Sequence, residues 1–262
     1  MGAPSFNTVA VTVDGAIGRL TLDRPEKLNP LATATLLEVI DAAGWLDQQQ
    51  GVKVVVVSGR GRAFSAGADV GAFAGSLDAG GPAPREAADA GRVMADTVEA
   101  MRAVTVAAVH GHCIGGGVVL AAACDLRVAA ADTNFAFPEV DLGIPLAWGG
   151  IPRLVREIGP AATKDLVLTC RRFTAQEAER LGLVNRVVAP DQLATCVDEL
   201  VATLTAKSAL TLEATKRHVD AVTRAMADTA HSWSDADGLV TALHDPESRA
   251  VAIRYLEGLA ER

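Results

Sequence analysis

Aromatic residues are scarce in this 262-residue chain, at 4%, with a single tyrosine, so the core must be built from Ala, Val and Leu. Positive charge is also short: 24 Lys and Arg stand against 32 Asp and Glu, a net charge of -8. That balance excludes the basic face a nucleic-acid binder needs. It leaves open a phosphorylated small molecule, which a few local cations and backbone N–H groups suffice to hold. The four cysteines, Cys113, Cys124, Cys170 and Cys196, form no CxxC pair and no Cys/His cluster, so they read as buried free thiols of a reducing cytosol. No run of 18 apolar residues reads as a membrane span. The opening MGAPSFNTVAV has no basic stretch leading into an apolar one, so a cytoplasmic protein without a signal peptide is expected. Several motifs are missing too. Without GxxxxGK[ST], a GxGxxG after a strand, or GxSxG, a P-loop, a Rossmann site and a hydrolase elbow find no support. His110 and His112 lack a third ligand nearby, and no metal site is expected.

Half of the chain is apolar, which excludes disorder and supports one large core, alone or with a helical appendage. Val9 to Asp14 and Ile17 to Leu22 alternate around Asp14-Gly15, the pattern of a hairpin. Arg24 to Leu31 is rich in turn formers. Thr33 to Gln50 has the apolar spacing of a helix, with Leu36, Leu37, Ile40 and Ala43 on one face. Lys53 to Ser58, Thr105 to Val109 and Leu126 to Ala129 are short β-branched or apolar runs that read as buried parallel strands. Strands alternating with helices imply an α/β core. Gly71 to Gly91 is rich in Gly, Ala and Pro and has no clear period; a mobile lid and an ordinary surface loop or frayed helix are both open readings. From Pro190 onward only helical spacing remains, over Leu193 to Leu204, Thr211 to Val222 and Ser248 to Leu259. That places an expected boundary between a core over residues 1–190 and a helical, oligomer-forming region over 191–262. No internal sequence repeat is visible.

Two glycine turns stand out, each after a strand. In Ala63 to Asp69 (AFSAGAD) the Gly67–Ala68 amides can face a cleft; in Cys113 to Val119 (CIGGGVV) the Gly115–Gly117 amides open a helix. Two converging N–H groups are the minimum for an oxyanion hole. Glycines at such turns also serve simply to let strand and helix pack closely, and residue patterns alone leave both readings standing. Downstream, one carboxylate, Glu139, follows Pro138.

The ordered strings DRPEKLNPL, GRAFSAGADV, AAVHGHCIGGGVVLAAACDLRVAA, FAFPEVDLGIPLAWGGIPRL and AQEAERLGLVNRVV resemble the crotonase (enoyl-CoA hydratase/isomerase) superfamily, from about Val9 to the C-terminus. The resemblance implies a spiral of ββα units with a C-terminal helical region, a homotrimer or hexamer, and an acyl-CoA thioester as substrate, with no cofactor beyond the coenzyme A of the substrate itself. It implies an oxyanion hole made by the N–H groups of Ala68 and Gly116, and a catalytic role for Glu139. Lys27, Leu28, Ala66, Asp69, Val70, Gly115, Val119, Pro138 and Leu142 are the implied substrate-binding positions, and Arg24 and Lys27 are candidates to meet the CoA phosphates or to be plain loop cations.

One departure from the pattern is informative. Hydratases of this superfamily carry a second glutamate two residues after the glycine triplet, where this chain has Val119. Two carboxylates hold and deprotonate the water that hydration adds; valine accepts no hydrogen bond. One base is enough to move a double bond from the 3- to the 2-position, taking a proton from the α-carbon and returning it at the γ-carbon, and an apolar Val119 helps keep water away. The expected reaction is therefore that of a Δ3,Δ2-enoyl-CoA isomerase, with Val118, Val119, Leu142 and Trp148 as an apolar wall raising the pKa of Glu139. The alternatives are a hydratase drawing its second acid from Asp69, Asp141 or the 71–91 segment, another acyl-CoA hydrolase or lyase, and a non-catalytic acyl-CoA binder.

Overall fold

The computed structural model describes residues 3–69 and 85–260. The chain opens with the expected hairpin, β1 (Val9–Asp14) against β2 (Ile17–Leu22), paired from Val9↔Leu22 to Asp14↔Ile17. Gly15 takes the left-handed conformation the tight turn requires (φ 55°). Helix α1 (Thr33–Asp47) ends a turn before Gln50, and Gly51, at φ 94°, redirects the chain into β3 (Val54–Gly59). The described chain resumes at α2 (Arg85–Glu99), so residues 85–91 of the segment left open between lid and loop are helical, and its residues 71–84 lie outside the described part. Then come β4 (Val104–Val109), β5 (His112–Ile114), α3 (Gly116–Ala122), β6 (Leu126–Ala130) and β7 (Asn134–Ala136). Helix α4 (Gly150–Thr169) is broken at Gly159 (φ 75°, ψ 165°), and Pro160 starts its second segment. β8 (Phe173–Thr174), α5 (Ala175–Leu181) and β9 (Arg186–Val188) complete the core.

Six strands form one sheet in the order β1-β2-β3-β4-β6-β9, parallel throughout after the first hairpin. The apolar runs in the sequence are its central strands, and both their faces are covered, as a parallel sheet requires. Val55, Val57, Ala107, Val109 and Ala129 point into the main core with α1, α2 and α3. Their alternates Val54, Val56, Val106, Ala108 and Val128 meet Val197, Leu200 and Val201 of α6 (Leu193–Thr205) on the other face.

A second, smaller layer runs alongside. It consists of β5, β7 and β8, extended by two single bridges, Ser65↔Cys113 and Leu31↔Ala68. Each main-sheet strand from β2 to β6 is thus followed by a step in the small layer and then a helix: β2, Leu31, α1; β3, Ser65, α2; β4, β5, α3; β6, β7, α4. This is the expected spiral of ββα units. Three of the six phenylalanines, Phe135, Phe137 and Phe173, stack in its lower end with centroids 5.3 and 5.9 Å apart.

Cys113 and Cys124 are buried as expected, and burial pushes their thiols up, that of Cys124 to about 12; Cys170 and Cys196 are only half-buried. The tail continues with α7 (Ala209–Met226), α8 (Asp235–His244) and α9 (Pro246–Ala260), the first and last longer than their apolar spacing indicates. No described helix is long and apolar enough to cross a membrane.

Candidate active site

The first glycine turn is held from the loop before α1. Leu28 and Asn29 both adopt positive φ (61° and 54°), which turns the Asn29 side chain inward, where the residue is 1% exposed. Its Oδ1 accepts the Arg24 N–H (2.9 Å), and its Nδ2 donates to the carbonyls of Arg60 (2.9 Å) and Ala63 (2.8 Å). The buried Ser65 hydroxyl donates to the Asn29 carbonyl (2.8 Å) and accepts the Gly67 N–H (3.1 Å). Ala66 N–H donates to Leu28 O (2.8 Å), and Leu31 N–H to Gly67 O (2.7 Å). The 28–31 and 65–68 strands of chain are thereby sewn together, leaving Ala68 at the end of the seam.

The second turn meets the first. A Cβ on Gly67 would lie 2.7 Å from the Ile114 carbonyl and 3.7 Å from the Gly116 nitrogen, so the two turns touch and only glycine fits at the contact. Gly115 precedes α3 with φ 49° and ψ -117°. Gly116 is the first residue of α3, where backbone N–H groups have no partner within the helix. Among the described residues, neither the Ala68 nor the Gly116 N–H has an acceptor.

Glu139 arrives from β7. Gly115 N–H donates to Ala136 O (2.8 Å), tying the end of β7 to the glycine triplet. A turn follows in which Leu142 N–H donates to Pro138 O (3.0 Å) and Ile144 N–H to Glu139 O (3.0 Å). The carboxylate lies against Gly115, where a methyl group would overlap Oε1. Oε2 is fully buried and has no hydrogen-bond partner among the described residues. Burial pushes the Glu139 pKa up to about 7, and the residue's own backbone N–H pulls it back a little.

These parts enclose a cavity of about 90 Å³. Its lining is Ala68, Gly116, Val119 of α3, Glu139, Ile144 to Trp148, and Leu239 of α8. Among the described residues that line it, Glu139 is the one titratable group.

The chain matches the family model for enoyl-CoA hydratase/isomerase over residues 12–261. The chain belongs to the enoyl-CoA hydratase/isomerase family. It is an enzyme of the crotonase superfamily, and relatives agree in fold and sequence. It is 39% identical over 221 residues to the "probable enoyl-CoA hydratase echA8" of Mycobacterium tuberculosis, covering 84% of this chain and 83% of the other. It is 34% identical over 199 residues to a peroxisomal "Delta(3,5)-Delta(2,4)-dienoyl-CoA isomerase" of Arabidopsis thaliana, covering 71% and 72%. The crystal structure of an enoyl-CoA hydratase from Mycobacterium avium subsp. paratuberculosis superposes with a TM-score of 0.86 at 27% identity, over 96% of this chain and 99% of that one.

Against this hydratase/isomerase frame, the residues singled out in the sequence fall into groups. Ala68, Gly116, Val119, Glu139 and Trp148 come together around the cavity, and Gly115 backs the carboxylate. Ala66 and Leu28 lie in the seam leading to it. Pro138 and Leu142 do not line it: they form the turn that carries Glu139, and Leu142 is buried there. Val118 is fully buried in the core, a step around α3 from Val119, and is not part of the wall. Lys27 is exposed, while Arg24 reaches Asp69 at 3.5 Å. Val70 lies outside the described residues. As for a second acid, Asp141 is exposed and Asp69 is engaged with Arg24, and neither lines the cavity. Sequence reading missed Ile144 to Ala147 and Leu239. The first four lie inside a string already singled out; Leu239 sits on α8, a helix that the apolar spacing of the tail does not mark.

Proposed function

We propose that this enzyme is a Δ3,Δ2-enoyl-CoA isomerase that uses Glu139 as its only proton carrier. The observation that carries this reading is the cavity lining: among the described residues its sole titratable side chain is Glu139, and the place of a hydratase's second carboxylate is taken by Val119, 1% exposed. The substrate thioester oxygen would sit between the Ala68 and Gly116 N–H groups. Glu139 as carboxylate takes a proton from the α-carbon of a 3-enoyl-CoA; the C–H electron pair forms a double bond between the α-carbon and the thioester carbonyl carbon, whose π electrons move onto the oxygen, giving a dienolate that the two N–H groups stabilise. Each such donor contributes about 2.7–4 kcal/mol to a transition state of this kind. The carboxylic acid then gives the same proton to the γ-carbon, and the double bond ends in conjugation with the thioester. A pKa of about 7 suits a group that must both take and return a proton near neutral pH. The seam of Leu28 and Ala66, with Lys27 exposed beside it and Asp69 and Arg24 at its rim, supplies the approach for the CoA arm.

The names of the relatives favour a second reading, hydration of a 2-enoyl-CoA, which requires an acid besides Glu139 to hold the water. The two readings separate in one assay. The protein is given a 3-enoyl-CoA and, separately, a 2-enoyl-CoA, and absorbance of the conjugated thioester is followed. Isomerisation predicts a rise with the first, little change with the second, and a loss of about 10²–10⁴-fold in Glu139→Gln. Rapid consumption of the 2-enoyl-CoA that survives Glu139→Gln overturns the isomerase assignment.

A further inference from the structure

Trp148 occupies an unusual place. Its φ is 63°, in the left-handed region, where a bulky side chain costs about 1–3 kcal/mol. Gly149 and Gly150 follow it, and glycine at 148 itself would meet the turn's backbone needs without strain. The strain is therefore tolerated for the indole.

The ring lies between two helices, and both yield to it with glycine. A Cβ on Gly91 of α2 would fall inside the indole at Cδ2, and one on Gly116 of α3 would fall inside it at Cζ3. The ring thus fills the gap between α2 and α3, directly beside the Gly116 N–H. The backbone that carries it is fixed from three sides. Gly149 N–H donates to Asp235 Oδ2 (2.8 Å), and the fully buried Arg153 donates through Nη1 to the carbonyls of Gly149 (3.2 Å) and Trp148 (3.5 Å). The indole is thus a wall packed on both sides, on a backbone held by hydrogen bonds.

We propose that Trp148 is the end stop for the acyl chain, restricting the enzyme to short-chain acyl-CoA thioesters. This rests on the acyl-CoA reading of the site, and holds whether the double bond is moved or hydrated. A chain whose thioester carbonyl sits at Gly116 and whose α-carbon faces Glu139 meets Val119, Trp148 and Leu239 next. At the roughly 30 Å³ a water takes in the liquid, the cavity of about 90 Å³ has room for about three such groups. That matches the carbons beyond the carbonyl of a butanoyl chain, and an octanoyl chain runs into the indole.

The test is a set of dissociation constants, measured by calorimetry, for free CoA and for butanoyl-, hexanoyl-, octanoyl- and decanoyl-CoA, which have no double bond to turn over. In an open apolar pocket each added methylene tightens binding, by roughly tenfold where it fits well. Here the native protein is expected to bind butanoyl-CoA most tightly and octanoyl-CoA about tenfold more weakly or worse. Trp148→Ala is expected to reverse that order, and Trp148→Phe, which keeps a smaller ring and tests the idea should the alanine variant fail to fold, to move the optimum to hexanoyl-CoA. Equal or tighter native binding of octanoyl- and decanoyl-CoA overturns the end stop and leaves the acyl-CoA reading intact. So does an unchanged ranking in a folded Trp148 variant. Acyl-CoAs that bind no better than free CoA overturn the acyl-CoA reading, and the end stop with it.

Discussion

Glu139 owes its character to what does not surround it. The carboxylate is packed against Gly115 and apolar neighbours, with Oε2 unpartnered among the described residues, and desolvation, against a small pull from its own backbone N–H, drives its pKa from 4.5 to about 7. As a base it works when ionised, so kcat/KM for the 3-enoyl-CoA should rise with pH through about 7 and level off above it, and a pH–rate profile of the free enzyme checks this. The same shift acts on stability in the opposite direction. Between 4.5 and about 7 the folded protein binds more protons at this group than the unfolded chain does, so stability falls as pH rises across that window. At 1.36 kcal/mol per unit the loss approaches about 3 kcal/mol. Glu139→Gln has no carboxylate to ionise. Urea denaturation should find it about as stable as the native protein near pH 4.5 and more stable by up to about 3 kcal/mol at pH 8; a gap that is the same at both pH values would show that the carboxylate does not titrate in this window. The enzyme would then gain stability in the variant that loses its base, as expected where a site is built against the preference of its key group.

At the scale of elements, legibility followed length and period. The hairpin over 9–22, the valine-rich strand at 54–59 and the tail helices α6, α7 and α9 announced themselves because each repeats one pattern over five residues or more. The small layer did not. β5, β7, β9 and the two-residue β8 are too short to show alternation, and the bridges at Leu31 and Ser65 are single residues, so a four-fold ββα recurrence left no repeat in the sequence. Helix α4 was masked by its own Gly159-Pro160 break. What the sequence did not show is that Asn29, in the turn-rich stretch and on the implied CoA path, is the residue that aligns the first glycine turn with the rest. Asn29→Ala removes one acceptor and two donors from a buried site and leaves the Arg60 and Ala63 carbonyls short of a partner. About 2–4 kcal/mol of stability should be lost, measured by chemical denaturation. A loss under about half a kcal/mol would mean that the seam between 28–31 and 65–68 holds without it.

On the scale of the whole molecule, the tail reaches back across the chain to hold the turn that shapes the cavity. α8 packs on α2, with Arg85 paired to Asp237 (2.8 Å) and donating to the Trp233 carbonyl (2.9 Å). From there, Leu239 enters the cavity, Gly238 lies beside Pro145, and the Ser248 carbonyl at the start of α9 comes so close to Gly143 that no side chain fits. Amphipathic spacing predicts α6, α7 and α9 but not the ten-residue α8, and docking partners so distant in sequence leave no local mark, so Leu239 was out of reach on both counts. Asp235 is the polar link in this clamp. Its Oδ2 accepts the Gly149 N–H, and burial raises its pKa, so the bond is made in a poorly solvated place where an unpaired N–H costs about 1–3 kcal/mol. Asp235→Ala should lose that much stability and also release the turn that fixes Trp148, lowering kcat/KM by about tenfold to a hundredfold, since small misplacements of positioning groups are that costly. Asp235→Asn keeps an acceptor at the same reach and should recover most of both. Steady-state kinetics of the two variants beside their denaturation curves decides the matter. If alanine costs stability while kcat/KM stays native, the tail braces the fold without shaping the site. If asparagine fails as badly as alanine, the charge of Asp235 toward Arg92 and Arg153, and not its bond to Gly149, is what the turn depends on.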